Sequence, residues 1–255
     1  MLCSECQKLL KQSGPHDVHA LHSKICSLWP FGFYERLCLL GLSHLSPLES
    51  LFSSYDISFL SRKGDWEKGS AKSLFHDLGL VFAPMPNVRH LLRRPVSLPS
   101  YFLVSEQTTS FLCTSLTTGW MKKLCERVEV RWKNSEVGFG LFLKEPLETG
   151  EYLGVYSGEV KKLSYFSKKS DLTYTAELIR SFPWRRPLVV DAKKEGSLLR
   201  FINHKDEPNV GVEYVKACSL PFLLVSSLRR IEAGEEIFLS YGTDFWKNRK
   251  KLLQP

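Results

Sequence analysis

The chain has 255 residues, 43% of them hydrophobic, which is enough for a packed core and too many for a disordered chain. Lys and Arg number 35 against 27 Asp and Glu, a net charge of +8. The excess is spread along the chain and not gathered in a tail, so it argues only weakly for an acidic or nucleic-acid partner.

No apolar run reaches the roughly 18 residues of a spanning helix, so no membrane partner is expected. Met1-Leu2-Cys3-Ser4-Glu5-Cys6 lacks the basic-then-apolar order of a secretory signal. The seven scattered cysteines then suit reduced thiols, and the expected compartment is cytoplasmic or nuclear.

Residues 1–122 read as mainly helical. Val18, Leu21, Ile25, Leu28 and Trp29 recur at helical spacing until Pro30. The leucines from Leu39 to Leu51 are interrupted by Gly41 and Pro47, and Pro84, Pro86, Pro95 and Pro99 mark irregular chain. Cys3 and Cys6, with His16, His19, His22 and Cys26, are metal-ligand types. Their spacing matches no zinc class, and they equally suit a frayed terminus and the polar flank of the helix. No metal is assigned.

From Val128 the pattern changes to short strands, giving a second part over residues 123–255. Val128 to Trp132 alternates, Gly138 to Leu143 follows, and Pro146 to Glu151 reads as a turn. Tyr152 to Val160 reads as one strand, Lys161 to Ser170 as a polar surface insert, Leu172 to Leu178 as an alternating strand, and Leu188 to Asp191 as another. Glycines inside such runs point to bends or close backbone approach. The expected class is α+β: a mainly helical N-terminal region and a mostly β C-terminal domain.

Two stretches organise the second part: Arg200-Phe201-Ile202-Asn203-His204, closed by Pro208-Asn209, and Gly234-Glu235-Glu236-Ile237-Phe238-Leu239-Ser240-Tyr241-Gly242. Taken alone, an Asn-His pair suits a hydrogen-bonded core pair, and Gly-Glu-Glu suits a turn into a strand. In this order, with Gly138-Phe139-Gly140 and Tyr156-Ser157-Gly158-Glu159 upstream, they resemble the SET domain of protein lysine methyltransferases. The form is short, as in bacterial SET proteins, including effectors that act on host chromatin. The resemblance implies a fold in which the chain end threads a loop, an exception to the rule against threading.

It also implies S-adenosylmethionine as cofactor and a protein lysine, in a histone or histone-like protein, as substrate. Catalytic roles fall on Tyr241 and Tyr156. Cofactor contacts fall on Phe139, Thr173, Tyr174, Arg200, Asn203, His204, Phe245 and Trp246. Tyr156 and Leu239 line the lysine channel. For Arg200, a structural pair with Glu235 or Glu236 is an equal alternative. Asn203 offers both an acceptor and a donor, which suits a zwitterionic amino-acid end or an adenine edge.

The chain departs from the family pattern at three places. Phe139 stands where Trp is usual, Val155 where Glu is usual, and Ser240 where Asp is frequent. No cysteine follows Cys218, so a cysteine-rich closing segment is not expected. These departures keep open a second reading, an inactive SET-like interaction module. Direct nucleic-acid binding is a third, resting on charge without a recognised motif. If the protein is a bacterial effector, it is secreted into the host and works in the nucleus.

Overall fold

The structure is a computed structural model and describes residues 55–89, 91, 120–163, 173–179, 187–217 and 220–242. Among these residues the chain is mostly β. A first sheet has strand order β2-β1-β4-β5, made from β1 (Asp56–Leu60), β2 (Trp66–Ser70), β4 (Val128–Asn134) and β5 (Gly138–Leu143). β1 and β2 form a hairpin, and β1 runs parallel to β4 with Phe59 opposite Val130. A short β3 (Val81–Phe82) pairs in parallel with β10 (Glu195–Gly196).

Among the described residues of 1–122, α1 (Ala71–Asp77) meets the helical expectation, whereas β1, β2 and β3 are strands. The physical reason is visible in the side chains. Ile57 and Phe59 are buried while Asp56 is exposed and Ser58 partly so, the period of two that a sheet needs. Helix α1 starts where Ser70 Oγ accepts the Ser73 N–H at 3.0 Å, an N-cap. The amphipathic pattern of residues 18–29, the leucine run and the Cys/His cluster lie outside the described residues.

A second helix, α2 (Trp120–Arg127), leads into β4. β6 (Tyr152–Tyr156) and β7 (Glu159–Lys162) correct the single strand expected over 152–160. The break falls at Gly158, where a Cβ would lie 2.4 Å from the Asp191 carbonyl oxygen, so only glycine lets the chain change sheets there. β7, β9 (Leu188–Asp191) and β8 (Thr175–Ile179) form a three-stranded sheet in the order β7-β9-β8. Thr173 and Tyr174 belong to the turn before β8 rather than to a strand.

The largest sheet has order β11-β14-β12-β13-β6. Its members are β6, β11 (Asn203–His204), β12 (Val210–Ala217), β13 (Leu220–Ser227) and β14 (Phe238–Leu239). β11 and β12 are consecutive in the chain, yet β14 lies between them. Leu239 is opposite His204 on one side and Val210 on the other, in parallel both times. The residues 205–209 that join β11 to β12 hold both flanks: Lys205 N–H donates to the Leu239 carbonyl and Asn209 N–H to that of Phe238.

One core joins the sheets. Phe75 of α1, fully buried, meets Phe82 edge-on at 5.2 Å and Phe201 at 5.6 Å. Phe201 ends the 3₁₀ turn Leu198–Phe201 that delivers the chain to Asn203. Residues 55–89 therefore pack directly behind the conspicuous motif. Truncating a buried ring of this kind costs about 3–5 kcal/mol.

Candidate active site

The 3₁₀ turn and β11 present Arg200, Asn203 and His204 in succession, and β14 brings Tyr241 alongside. The Tyr241 hydroxyl donates to the Ile202 carbonyl at 2.7 Å. The Tyr241 backbone N–H donates to His204 Nδ1 at 3.1 Å, and the two rings lie 5.3 Å apart. An Nδ1 that accepts carries no proton, so in the neutral ring the proton sits on Nε2, 3.4 Å from Asp206 Oδ1. His204 thus holds Tyr241 through its side chain.

Tyr156 ends β6 on the neighbouring side. Its hydroxyl donates to the Tyr174 carbonyl at 3.0 Å. Burial pushes the Tyr156 phenol far above the ordinary tyrosine range, and nearby Tyr241 adds to the rise while Arg200 opposes it. Tyr156 therefore stays protonated at any working pH and is not a general base. With its single proton committed to a carbonyl, its oxygen can act only as an acceptor towards anything else; the same holds for Tyr241.

Arg200 is buried behind this pair. Its Nε donates to the Ala192 carbonyl at 3.0 Å, and its guanidinium stacks 4.3 Å from the Tyr174 ring and 5.2 Å from the Phe201 ring. Pairing with Glu235 or Glu236 does not occur: Glu235 binds Arg229, and Glu236 binds Lys133. Desolvation lowers the Arg200 pKa, with Tyr174 and Tyr156 acting in the opposite direction. Arg200 fixes the Tyr174 turn on which the Tyr156 hydroxyl rests, a cation–aromatic use suited to guanidinium.

On the other side, Asn203 Nδ2 donates to the Phe139 carbonyl at 3.2 Å and to Glu236 Oε1 at 2.8 Å. The Phe139 ring packs edge-on against Trp132 at 5.0 Å and Phe201 at 5.8 Å. The aromatic body expected between the two glycines is kept and is used for packing. Gly138 has φ 84°, a conformation that glycine adopts without strain. Leu239 is half-buried against the core. Thr173 is exposed at the start of the turn before β8. Phe245 and Trp246 lie outside the described residues.

The sequence reading missed Glu236 and Lys133 as members of the site. Glu236 is 8% exposed, and its Oε2 accepts from Lys133 Nζ at 2.7 Å. The available signal was the second acidic residue of Gly234-Glu235-Glu236. Adjacent residues of an extended segment face opposite ways, so one of the two must point inward.

The site thus brings together two acceptor-only tyrosine oxygens, a fixed Asn amide and a β14 wedged between β11 and β12. A family model described as the SET domain matches residues 138–242, and the chain carries a SET domain over that stretch. Histone-lysine N-methyltransferase EZ1 of Oryza sativa subsp. japonica is 30% identical over 109 residues, covering 43% of this chain and 12% of that protein. The variant-silencing SET domain-containing protein of Plasmodium falciparum is 30% identical over 142 residues, 52% of this chain and 5% of that protein. This chain thus spans a small part of the length of the curated relatives it matches. Among solved structures, the Neurospora SET domain protein DIM-5, a histone lysine methyltransferase, aligns with TM-score 0.39 and 18% identity over 50% of this chain and 55% of that one.

Proposed function

We propose that this protein transfers methyl groups from S-adenosylmethionine to lysine side chains of proteins, with histones or histone-like proteins as the substrate class. The observation that carries the reading is the pair of tyrosine hydroxyls, each with its proton committed to a backbone carbonyl. Two oxygens that can only accept are suited to the N–H groups of an amine and to turning its lone pair towards an electrophile. The substrate class is supported by relatives whose names state histone-lysine methyl transfer.

The chain's own residues fit the cofactor. Asn203 is held with its amide nitrogen on Phe139 O and Glu236, which leaves its carbonyl oxygen as an acceptor for an ammonium group. Phe139 O is a second acceptor beside it. When bound, S-adenosylmethionine supplies an electrophilic methyl on a sulfonium. A lysine amine must be neutral to attack, and an ordinary lysine has a pKa of about 10.4. A lysine channel lined by Tyr156, Tyr241 and Leu239 would disfavour the ammonium form. The work left to Tyr241 and Tyr156 is alignment, for which fixed orientation is the main source of rate. β14 lying between β11 and β12 supports reading residues 205–209 as the loop threaded by the following chain. A histone substrate implies a nuclear site of action, and a cytoplasmic one if other proteins are modified.

The test is transfer of label from methyl-tritiated S-adenosylmethionine to a histone mixture, with lysine products identified by mass spectrometry. Labelled lysine supports the reading. Cofactor binding with no transfer to histones or to cell protein extracts would instead favour the interaction-module reading.

A further inference from the structure

Glu236 is a buried carboxylate that takes no part in the methyl transfer itself, and its surroundings are specific. It sits in a segment laced onto β5: Leu143 N–H donates to the Glu235 carbonyl, and Ile237 N–H donates to that of Leu141. Asn209 Nδ2 holds the Glu236 carbonyl at 2.8 Å. From this fixed backbone the side chain crosses β5 at Gly140. A Cβ on Gly140 would lie 2.6 Å from Glu236 Oε1 and 3.2 Å from its Cδ. Gly140 has no positive φ to explain it, unlike Gly138. A side chain at 140 would stand where the carboxylate and the Phe142 ring lie, so the glycine leaves the carboxylate its route. Having crossed, Oε2 meets Lys133 Nζ at 2.7 Å and Oε1 meets Asn203 Nδ2 at 2.8 Å.

This arrangement fixes which way Asn203 points. Phe139 O and the Glu236 carboxylate are acceptors only, so the nitrogen end of the amide must face them, and the flipped amide would set oxygen against oxygen. The carbonyl end then faces the other way. Lys133 compensates the buried charge that does the orienting.

We infer that Lys133, Glu236 and Gly140 form a positioning relay that locks the Asn203 amide with its oxygen turned to the α-ammonium of an aminoacyl nucleoside cofactor. The inference rests on the cofactor reading proposed above. It predicts an effect confined to ligands that carry the amino-acid end.

The experiment is calorimetric affinity of the full chain and of Glu236→Ala and Gly140→Ala for two probes. One is S-adenosylhomocysteine, which has the α-amino group, and the other is methylthioadenosine, which lacks it. Both variants are expected to weaken S-adenosylhomocysteine about tenfold or more and to leave methylthioadenosine within about twofold. Thermal melting identifies a variant that has lost the fold, and Lys133→Met, which leaves the backbone segment untouched, is then read in its place with the same expectation. Equal weakening of both probes makes the relay a purely structural element and overturns the inference. Unchanged affinity for both probes overturns it as well. Wild-type protein that binds neither probe removes the cofactor reading and the inference with it, an outcome distinct from the other two.

Discussion

The Tyr241 backbone N–H and the His204 Nδ1 are 3.1 Å apart, and the Tyr241 hydroxyl reaches two residues further back along the chain, to Ile202 O at 2.7 Å, just before β11. Two bonds from one residue grip this segment at both ends of the ring. The phenol is therefore placed by the motif it accompanies, and its oxygen is held rather than free to rotate.

Removing that oxygen should separate alignment from binding. Tyr241→Phe keeps the ring and its packing and loses the hydroxyl acceptor. The expected outcome is a fall in kcat of about 10²-fold or more with S-adenosylhomocysteine affinity little changed. Single-turnover transfer and calorimetry on the same preparation check it. A matching loss of affinity would place Tyr241 in the cofactor contact instead.

Asn203→Ala removes the group on which Phe139 O and Glu236 both converge. It leaves a buried carboxylate one donor short, a loss worth about 1–3 kcal/mol. S-adenosylmethionine affinity is expected to fall by about tenfold or more while the far-ultraviolet dichroism stays native. Calorimetry decides, and unchanged affinity would exclude Asn203 from the cofactor site.

Leu239 bears on how many methyl groups are added. In SET-type sites the position two before the tyrosine is often aromatic, and a tyrosine hydroxyl there can retain a water beside the lysine nitrogen, in the space a further methyl needs. Leu239 has no hydroxyl, and it is half-buried on β14. The native protein is expected to proceed to di- or trimethyl-lysine. Leu239→Tyr should shift the products towards monomethyl-lysine with the first transfer preserved. A time course of a peptide substrate by mass spectrometry reads the distribution, and a native enzyme that stops at one methyl with excess cofactor would refute the argument.

Acid stability is set in part by Glu235. The Arg229 guanidinium hydrogen-bonded to it, aided by a backbone N–H and Asn209, holds its carboxyl down at about 2 from a usual 4.5. A carboxylate with a depressed folded pKa stabilises the fold above its unfolded value and loses that contribution as protons bind. The contribution is therefore full above about pH 4.5 and disappears as the pH falls towards 2. Because Arg229 is largely exposed, salt screening keeps the effect modest. The thermal midpoint is expected to drop across that window, and Arg229→Met should flatten the drop. Differential scanning calorimetry from pH 2 to 6 measures both.

Much of the second half of the chain was legible. β5 and β9 have the bounds that their apolar runs suggested, because each run is closed by charged or turn residues and fits a buried strand. The Asn203-His204 and Tyr241 groups were legible through their motifs. β2 was not, since it is an edge strand with Trp66, Glu67 and Lys68 all exposed, and an edge with no buried face carries no alternation; β1 does alternate, but over only five residues. The same limit hid the Glu236 contacts. A carboxylate becomes a site element only when Lys133, 103 positions away, folds against it. The alternative that paired Arg200 with Glu235 or Glu236 fails for the opposite reason: a charge suggests a countercharge, whereas this one is satisfied by a carbonyl and two ring faces.

The position of β14 has a kinetic consequence. Its slot does not exist until β11, residues 205–209 and β12 are already arranged around it. β12 pairs with β13 without help from β14, whereas β11 has β14 as its sheet neighbour, so the docking of β14 is a late, non-local step. Every chain caught before the step has a largely formed core and no placed Tyr241. Refolding followed by core fluorescence should finish before methyl transfer returns, and the lag between them measures how long the protein is folded but silent.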